Sequence, residues 1–295
     1  MEKINLHMHS NYSLDGNFDI NKIINESFSN GISYLSITDH DNCNAYFDLD
    51  TTKIKQSGTL IYGIEADAII NNITYDILCY GFDLNKIHLW SKTQYGTIAS
   101  RQLKIYNKLK DLCENLNMKL NTSIPYNPEK EFAHVAIFRM LESYPYNKKF
   151  LHRYSIENVN DLYRESTMNT RFPLYFDISI VWPKIETLSQ IIHETGGKIF
   201  LAHPYKYSKN IEVSKILNSC LPYIDGIEIC NEPKNAEEVN FLYNFAKQNN
   251  LLISAGSDYH GSKNHNNFNL NYLTKEMKND IKSWINDVSG KIQIN

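Results

Sequence analysis

Three absences bound this 295-residue chain before any motif is considered. Its five cysteines, Cys43, Cys79, Cys113, Cys220 and Cys230, are scattered, odd in number and without a CxxC pair. That argues against a disulfide framework and fits a reducing compartment. No run approaches the roughly 18 consecutive apolar residues of a membrane span. The opening Met1-Glu2-Lys3-Ile4-Asn5-Leu6-His7 lacks the apolar stretch of a secretory leader. The expectation is a soluble, cytoplasmic protein. A basic surplus is missing too, with 30 Lys and Arg against 33 Asp and Glu and a formal net charge of −3. A surface gripping many nucleic-acid phosphates would be more basic, so extended nucleic acid is not the expected partner. A small anionic substrate held by metal cations needs no such surface. No internal repeat was found. The 20 tyrosines read as compositional bias and do not by themselves imply base stacking.

What is present is enough for a core. Hydrophobic residues make up 42% and charged residues 21%, a globular balance. Apolar Ile20, Ile23, Ile24 and Phe28 recur at helical spacing, and Gly31 marks a stop. Strands are expected over 3–8, 33–38 and 59–64, with a helix running to about 56 between the last two. A hairpin-like pair over 66–82 would turn at Asn71-Asn72, since Asn tolerates positive φ. Residues 83–180 differ: 98–116 and 132–141 are helical in pattern and strands are few, which predicts a mostly helical insertion. From Pro183 the α/β rhythm resumes, with helices over 184–195, 211–219, 235–249 and 274–287 and strands over 198–202, 224–229 and 251–255. Alternating strands and helices predict a parallel sheet covered on both faces.

The chemistry sits where these strands end. His7 and His9 are two residues apart, so on an extended chain their imidazoles share a face. Asp258 and His260 repeat the spacing after the last strand. Asp15, Asp39-His40, Glu65, His134 and His203 supply further nitrogen and oxygen donors. Each piece alone has an ordinary explanation: a fortuitous HxH, a loop salt bridge, a solvated strand end, a packed histidine before Pro204. Their joint placement is harder to explain that way. In α/β barrels strand C-termini gather at one mouth and sites form there. His88, His152, His193 and His265 have no such context and are read as structural or surface residues.

These stretches resemble the motifs of the PHP (polymerase and histidinol phosphatase) family. His7-Met8-His9 with Asp15-Gly16 looks like the first motif, Thr38-Asp39-His40-Asp41 the second, Gly63-Ile64-Glu65 the third, and Ala202-His203-Pro204 and Asp258-Tyr259-His260 the later ones. Phe132-Ala133-His134 is a shorter match to a histidine-bearing helix. The likeness covers 1–82 and 197–261 well and the middle poorly.

The resemblance implies a distorted (β/α)7, TIM-like barrel built from 1–82 and 181–295, with 83–180 as the helical insertion shaping the substrate site. It implies two to three divalent ions, Mn, Fe or Zn. His7, His9, Glu65 and Asp258 would hold the first; Glu65, His134 and His203 the second; Asp15, His40 and His260 the third. Asp15 stands where some relatives carry His and hardens the third site. The implied activity is metal-dependent hydrolysis of a small phosphate ester, a nucleotide among the candidates, by a metal-activated hydroxide. Glu65, Asp258 and His260 would act in catalysis. Lys206, Arg101 and Arg139 are candidate phosphate contacts, each with the alternative of a surface cation. Two rival readings are a 5′-to-3′ exonuclease on short oligonucleotides and a non-catalytic PHP module that stabilises or regulates a partner. The complete ligand set weighs against the module. Substrate and oligomeric state are not specified by the sequence.

Overall fold

A computed structural model describes residues 3–208, 212–230, 235–261, 270 and 272–295. His265 lies outside the described residues. The chain forms two compact units, one of residues 1–70, 75–91 and 184–295, the other of 71–74 and 92–183. The helical unit therefore begins beyond the expected 83, because most of helix α2 (Leu84–Gln94) belongs to the first unit.

The first unit is a mixed α/β fold around a central sheet. Its strands are β1 (Lys3–Asn5), β2 (Ile32–Ile37), β3 (Gly58–Ile70), β4 (Ile73–Tyr80), β5 (Lys198–Leu201), β6 (Gly226–Cys230) and β7 (Leu252–Ala255), hydrogen-bonded in that order, with β8 (Lys291–Ile294) beside β3. Pairing is parallel along β1–β2–β3 and β5–β6–β7 but antiparallel between β4 and β5 and between β3 and β8. The expected parallel sheet is interrupted at β4 and at β8, and at β4 the reason is local. Asn71 and Asn72 both take positive φ (51° and 65°), the backbone of a tight two-residue hairpin turn, so β4 returns beside β3. The predicted turn is thus in place. The strand expected over 59–64 and the first arm of the hairpin are one continuous strand, β3. The helix expected to run to about 56 is instead two short 3-10 turns, Asn44–Asp48 and Thr51–Lys53. Side chains compete for the backbone there: Asn42 and Asp50 accept from Asn44 and Thr52 N–H groups.

No ladder joins β7 back to β1 among the described residues, so the sheet is not closed as the resemblance implies. The reason is the shortness of β1. Beyond its three residues the chain meets the end of β7 through single contacts: Leu6 N to Ala255 O at 2.9 Å, Asp258 N to His7 O at 2.9 Å and His9 N to Tyr259 O at 2.7 Å. Buried Asn5 adds a side-chain clasp, donating to Ser257 Oγ at 2.8 Å and accepting from Ser257 N at 2.9 Å. Gly256 allows this approach, because a Cβ there would meet His7 Cβ at 2.1 Å.

Amphipathic helices cover the sheet. Helix α1 (Ile20–Ser29), capped by Asp19, buries Ile20, Ile23, Ile24 and Phe28 and packs on β2. Such a cap contributes about 1 kcal/mol. Helices α7 (Ile185–Glu194), α9 (Ala236–Gln248) and α10 (Lys275–Asp287) pack on β3 and β5, on β6 and β7, and on β7. Helix α8 spans Val213–Cys220. The second unit contains α3 (Ile98–Asn115), α4 (Ala133–Glu142), α5 (Lys148–Arg153) and α6 (Val159–Met168), with α4 packed on α3 and α6. All five cysteines are free and buried. No helix of the described residues is long and apolar enough to cross a membrane.

Tyr46 ties the strand ends that lead into the candidate site. Its buried hydroxyl donates to Ile37 O at 2.6 Å and accepts from Gly63 N at 2.8 Å. Tyr46→Phe keeps the ring but leaves these backbone groups without that partner. It should destabilise the protein by about 1–3 kcal/mol in denaturant titrations; an unchanged midpoint would show that the hydroxyl contributes nothing.

Candidate metal centre

Most donors reach the centre from a particular strand, and Asp15 comes from the segment between β1 and α1. His7 and His9 follow β1, and the alternation of an extended chain turns both rings one way while Met8 is buried between them. Asp39 and His40 follow β2. Glu65 lies within β3 and Asp76 within β4. His203 follows β5, and Asp258 and His260 follow β7. His203 and Asp258 hold positive φ (28° and 53°), an uncommon backbone for non-glycine residues that persists where surrounding contacts over-determine it. The segment after His9 is fixed by Asp39, whose buried carboxylate accepts from Ser10 N at 2.7 Å, Ser10 Oγ at 2.6 Å and Ser13 Oγ at 2.9 Å.

Three groups of donors result: His7, His9, Glu65 and Asp258; His9, Asp15, His40 and His260; and Glu65, Asp76 and His203. In the first, all buried, His7 Nε2 lies 3.2 Å from His9 Nε2, 3.1 Å from Glu65 Oε2 and 3.2 Å from Asp258 Oδ1. His9 Nε2 lies 3.1 Å from each of the same two oxygens. In the second, Asp15 Oδ2 is 3.4 Å from His260 Nε2 and 3.7 Å from His40 Nε2. In the third, His203 Nε2 is 3.0 Å from Glu65 Oε1 and 3.3 Å from Asp76 Oδ2. Glu65 therefore offers one oxygen to the first group and the other to the third.

The donors fit divalent cations. Ligands bonded at about 2.0–2.1 Å to one ion stand roughly 3.0–3.4 Å apart, and the five distances of the first group fall in that range. Glu65 Oε2 is buried within 3.1–3.4 Å of ring nitrogens of His7, His9 and His40, yet hydrogen-bonds to none among the described residues. A cation would satisfy such an oxygen. Three of these histidines have the other ring nitrogen occupied, as ligating histidines usually do, whereas His203 Nδ1 is buried without a hydrogen-bond partner among the described residues. His7 Nδ1 meets Glu228 Oε1 at 2.9 Å, His9 Nδ1 meets Ser13 Oγ at 3.2 Å, and His260 Nδ1 meets Asp258 O at 2.7 Å.

The electrostatics follow from burial and mutual attraction. Burial alone would push the Glu65 and Asp258 carboxyls up, but His7, His40 and His203 around Glu65, and His7, His9 and Lys206 around Asp258, hold both well below the usual range. Burial disfavours charged His7 and His40, and the neighbouring carboxylates outweigh it and raise both imidazoles well above their ordinary value. His134 differs: burial pushes it down to about 3.

The remaining predicted residues have these places. His134, on α4 of the helical unit, is in none of the three groups, and its Nε2 meets Ser166 Oγ at 3.0 Å. Asp76 stands in the group where the resemblance supplies His134. Sequence reasoning missed it; the available signal was one carboxylate inside the apolar strand 73–80. It missed Glu228, inside the apolar β6, for the same reason. Lys206 does not stand clear of the donors, because its half-exposed ammonium is ion-paired with Asp258, and the nearby carboxylates raise its pKa. Arg101 and Arg139 have partners inside the helical unit. Buried Arg101 donates to Tyr95 O at 3.3 Å and Gly96 O at 3.4 Å. Arg139 pairs with Glu131 at 3.0 Å and donates to Pro125 O. Among the structural or surface histidines, His193 pairs with Asp225 at 2.8 Å.

Fold and site together define an α/β protein with imidazole–carboxylate groups able to hold divalent metal on and beyond its strands. Residues 5–181 match the PHP domain family, and the chain belongs to it. It is 22% identical over 263 residues to a 5′-3′ exoribonuclease of Haemophilus influenzae, covering 88% of this chain and 90% of that one. It is 32% identical to the 5′-3′ exoribonuclease Rnm of Escherichia coli over 81 residues, 27% of this chain and 28% of that one. Among solved structures, a Bifidobacterium adolescentis protein described as a candidate metal-dependent phosphoesterase superposes with a TM-score of 0.61 at 16% identity, covering 96% of each chain. An amidohydrolase of Chromobacterium violaceum with bound sulfate and no metal gives 0.59 at 20% identity, covering 89% of each.

Metal-replete protein should carry two to three divalent ions per chain by elemental analysis, and fewer than one would contradict the donor groups. Chelation should lower the melting temperature, since ions bound only by the folded state stabilise it. Asp76→Asn should lose part of this metal. Equal loss in His134→Ala would support His134 as a further ligand.

Proposed function

We propose that this chain hydrolyses phosphate esters with divalent cations held by its three donor groups. The observation that carries the reading is the first group, in which five donor separations of 3.1–3.2 Å surround buried, ionised carboxylates and paired imidazoles. The donors contain no thiolate, and a mixed imidazole–carboxylate set suits Mn, Fe or Zn. When bound, such cations make water acidic enough to attack near neutral pH and neutralise the phosphoryl oxygens.

The chain's own groups then have distinct tasks. Glu65 spans two donor groups, and its negative charge would offset repulsion between cations held there. Asp258 orients the first group while its second oxygen holds the Lys206 ammonium at the edge of the site. Lys206, 47% exposed in its side chain, is the cation available to a phosphoryl oxygen. His260 turns its Nε2 toward Asp15 with Nδ1 anchored on Asp258 O, so Nε2 is the atom placed to ligate or to pass a proton to a leaving group.

Small phosphorylated molecules, nucleotides among them, remain the substrate favoured by the mild negative charge. The relatives named as 5′-3′ exoribonucleases add a second reading, a short 5′-phosphorylated oligonucleotide. A Mn-loaded screen decides between them: inorganic phosphate released from nucleotides and sugar phosphates supports the first, and mononucleotides released stepwise from RNA support the second. Loss of neither phosphate nor nucleotide from any fully metallated sample would overturn the hydrolase in favour of a structural module.

Glu65→Gln keeps the shape but removes the negative charge shared by two donor groups. Hydrolysis should fall by on the order of a hundredfold or more. Lys206→Ala should raise KM and also alter metal affinity modestly, since it frees Asp258 from its ion pair. Unchanged kinetics in Lys206→Ala would leave Lys206 outside substrate binding.

A further inference from the structure

We propose that Glu228 is a positioning residue that braces two of the donor groups with one carboxylate, an inference that rests on the metal-dependent reading above. Glu228 lies inside β6, the strand between those that deliver His203 and Asp258. It is 1% exposed, contributes no atom to any of the three donor groups and uses its two oxygens on different ligands. Oε1 meets His7 Nδ1 at 2.9 Å, and Oε2 accepts from His203 N at 2.8 Å. His7 belongs to the first group and His203 to the third.

The demand for a carboxylate follows from counting donors. His203 N is a backbone amide and can only donate. His7 presents Nε2 to His9, Glu65 and Asp258, so a ligating Nε2 leaves the proton on Nδ1, which also donates. Two donors facing one side chain need two acceptor oxygens. A glutamine has one; its amide nitrogen would face either His7 Nδ1–H or His203 N–H, and a buried polar group would lose its partner at a cost of about 1–3 kcal/mol. The backbone at His203 has the more to lose, because its φ of 28° is held by surrounding contacts, this one among them. Glu228 thereby fixes the ring tautomer of one ligand and the main-chain position of another. One side chain links two cation positions that otherwise share only Glu65.

The test uses the full chain and Co2+ alone as probe. Metal-free wild type and E228Q are titrated and followed by the visible absorption of the bound ion and by stoichiometry, with circular dichroism to establish that the variant is folded. Co2+ affinity should fall about 10- to 100-fold in E228Q, with an altered spectrum, while E228D, which keeps both acceptors, recovers part of the loss. A folded E228Q with wild-type spectrum and affinity overturns the brace. Wild type that binds no Co2+ overturns the metal reading itself and this inference with it. Should E228Q fail to fold, the wild-type protein still decides. With 15N-labelled histidine and Co2+ replaced by diamagnetic Zn2+, the His7 ring, assigned by its loss in His7→Gln, should carry its proton on Nδ1; a proton on Nε2 overturns the proposal.

Discussion

Burial of the Glu65 carboxylate is the constraint around which the site is arranged. An unpaired carboxylate inside a protein is costly enough that it ordinarily takes a proton and becomes neutral. Here it is 1% exposed and stays ionised because His7, His9, His40 and His203 surround it. Those four rings come from three strand ends, β1, β2 and β5. The attraction that offsets burial is therefore available only when the sheet is assembled, so folding and the making of the site are one event. Truncating either side leaves buried charge uncompensated, which is why changes here reach stability as well as metal content.

The architecture meets this demand with short-range devices. The Asn71-Asn72 turn reverses the chain so that β4 brings Asp76 beside the strand carrying Glu65. Asn5 and Gly256 let the chain after β1 lie against the end of β7, where the described residues form no ladder, and so His7 and Asp258 meet. Asp39 takes no place among the donors. Its carboxylate gathers Ser10 and Ser13 and sets the path of the segment between His9 and Asp15. The polar groups around the site thus divide between those facing the donor space and those that hold the backbone in strained or tightly turned conformations.

Much of the site was legible because its motifs are local. His7 with His9, Asp39 with His40, and Asp258 with His260 each sit where an apolar run stops, and a period of two places alternate side chains together. Asp15, Glu65 and His203 were legible as donors near expected strand ends, and the family resemblance supplied their grouping. Asp76 and Glu228 were not, since each is a single carboxylate within an apolar strand and no spacing rule marks it. Lys206 was legible as a cation near the site, but its pairing with Asp258 was not. Arg101 and Arg139 looked available in sequence and proved to be occupied by carbonyls and Glu131 within the helical unit.

By itself the sequence determined the alternation of strands and helices, the helical character of the middle, the hairpin turn and the set of residue types able to hold divalent cations. These follow from periodicity, turn chemistry and donor chemistry, which are local properties of the chain. Tertiary structure alone decided the order and direction of the strands, the open edge between β1 and β7, and the grouping of the donors. It also decided which carboxylates stand behind the imidazoles. Those depend on residues such as His7 and Glu228, 221 positions apart, becoming neighbours. Only the packing of the sheet, where buried N–H groups must find oxygens, brings such pairs together.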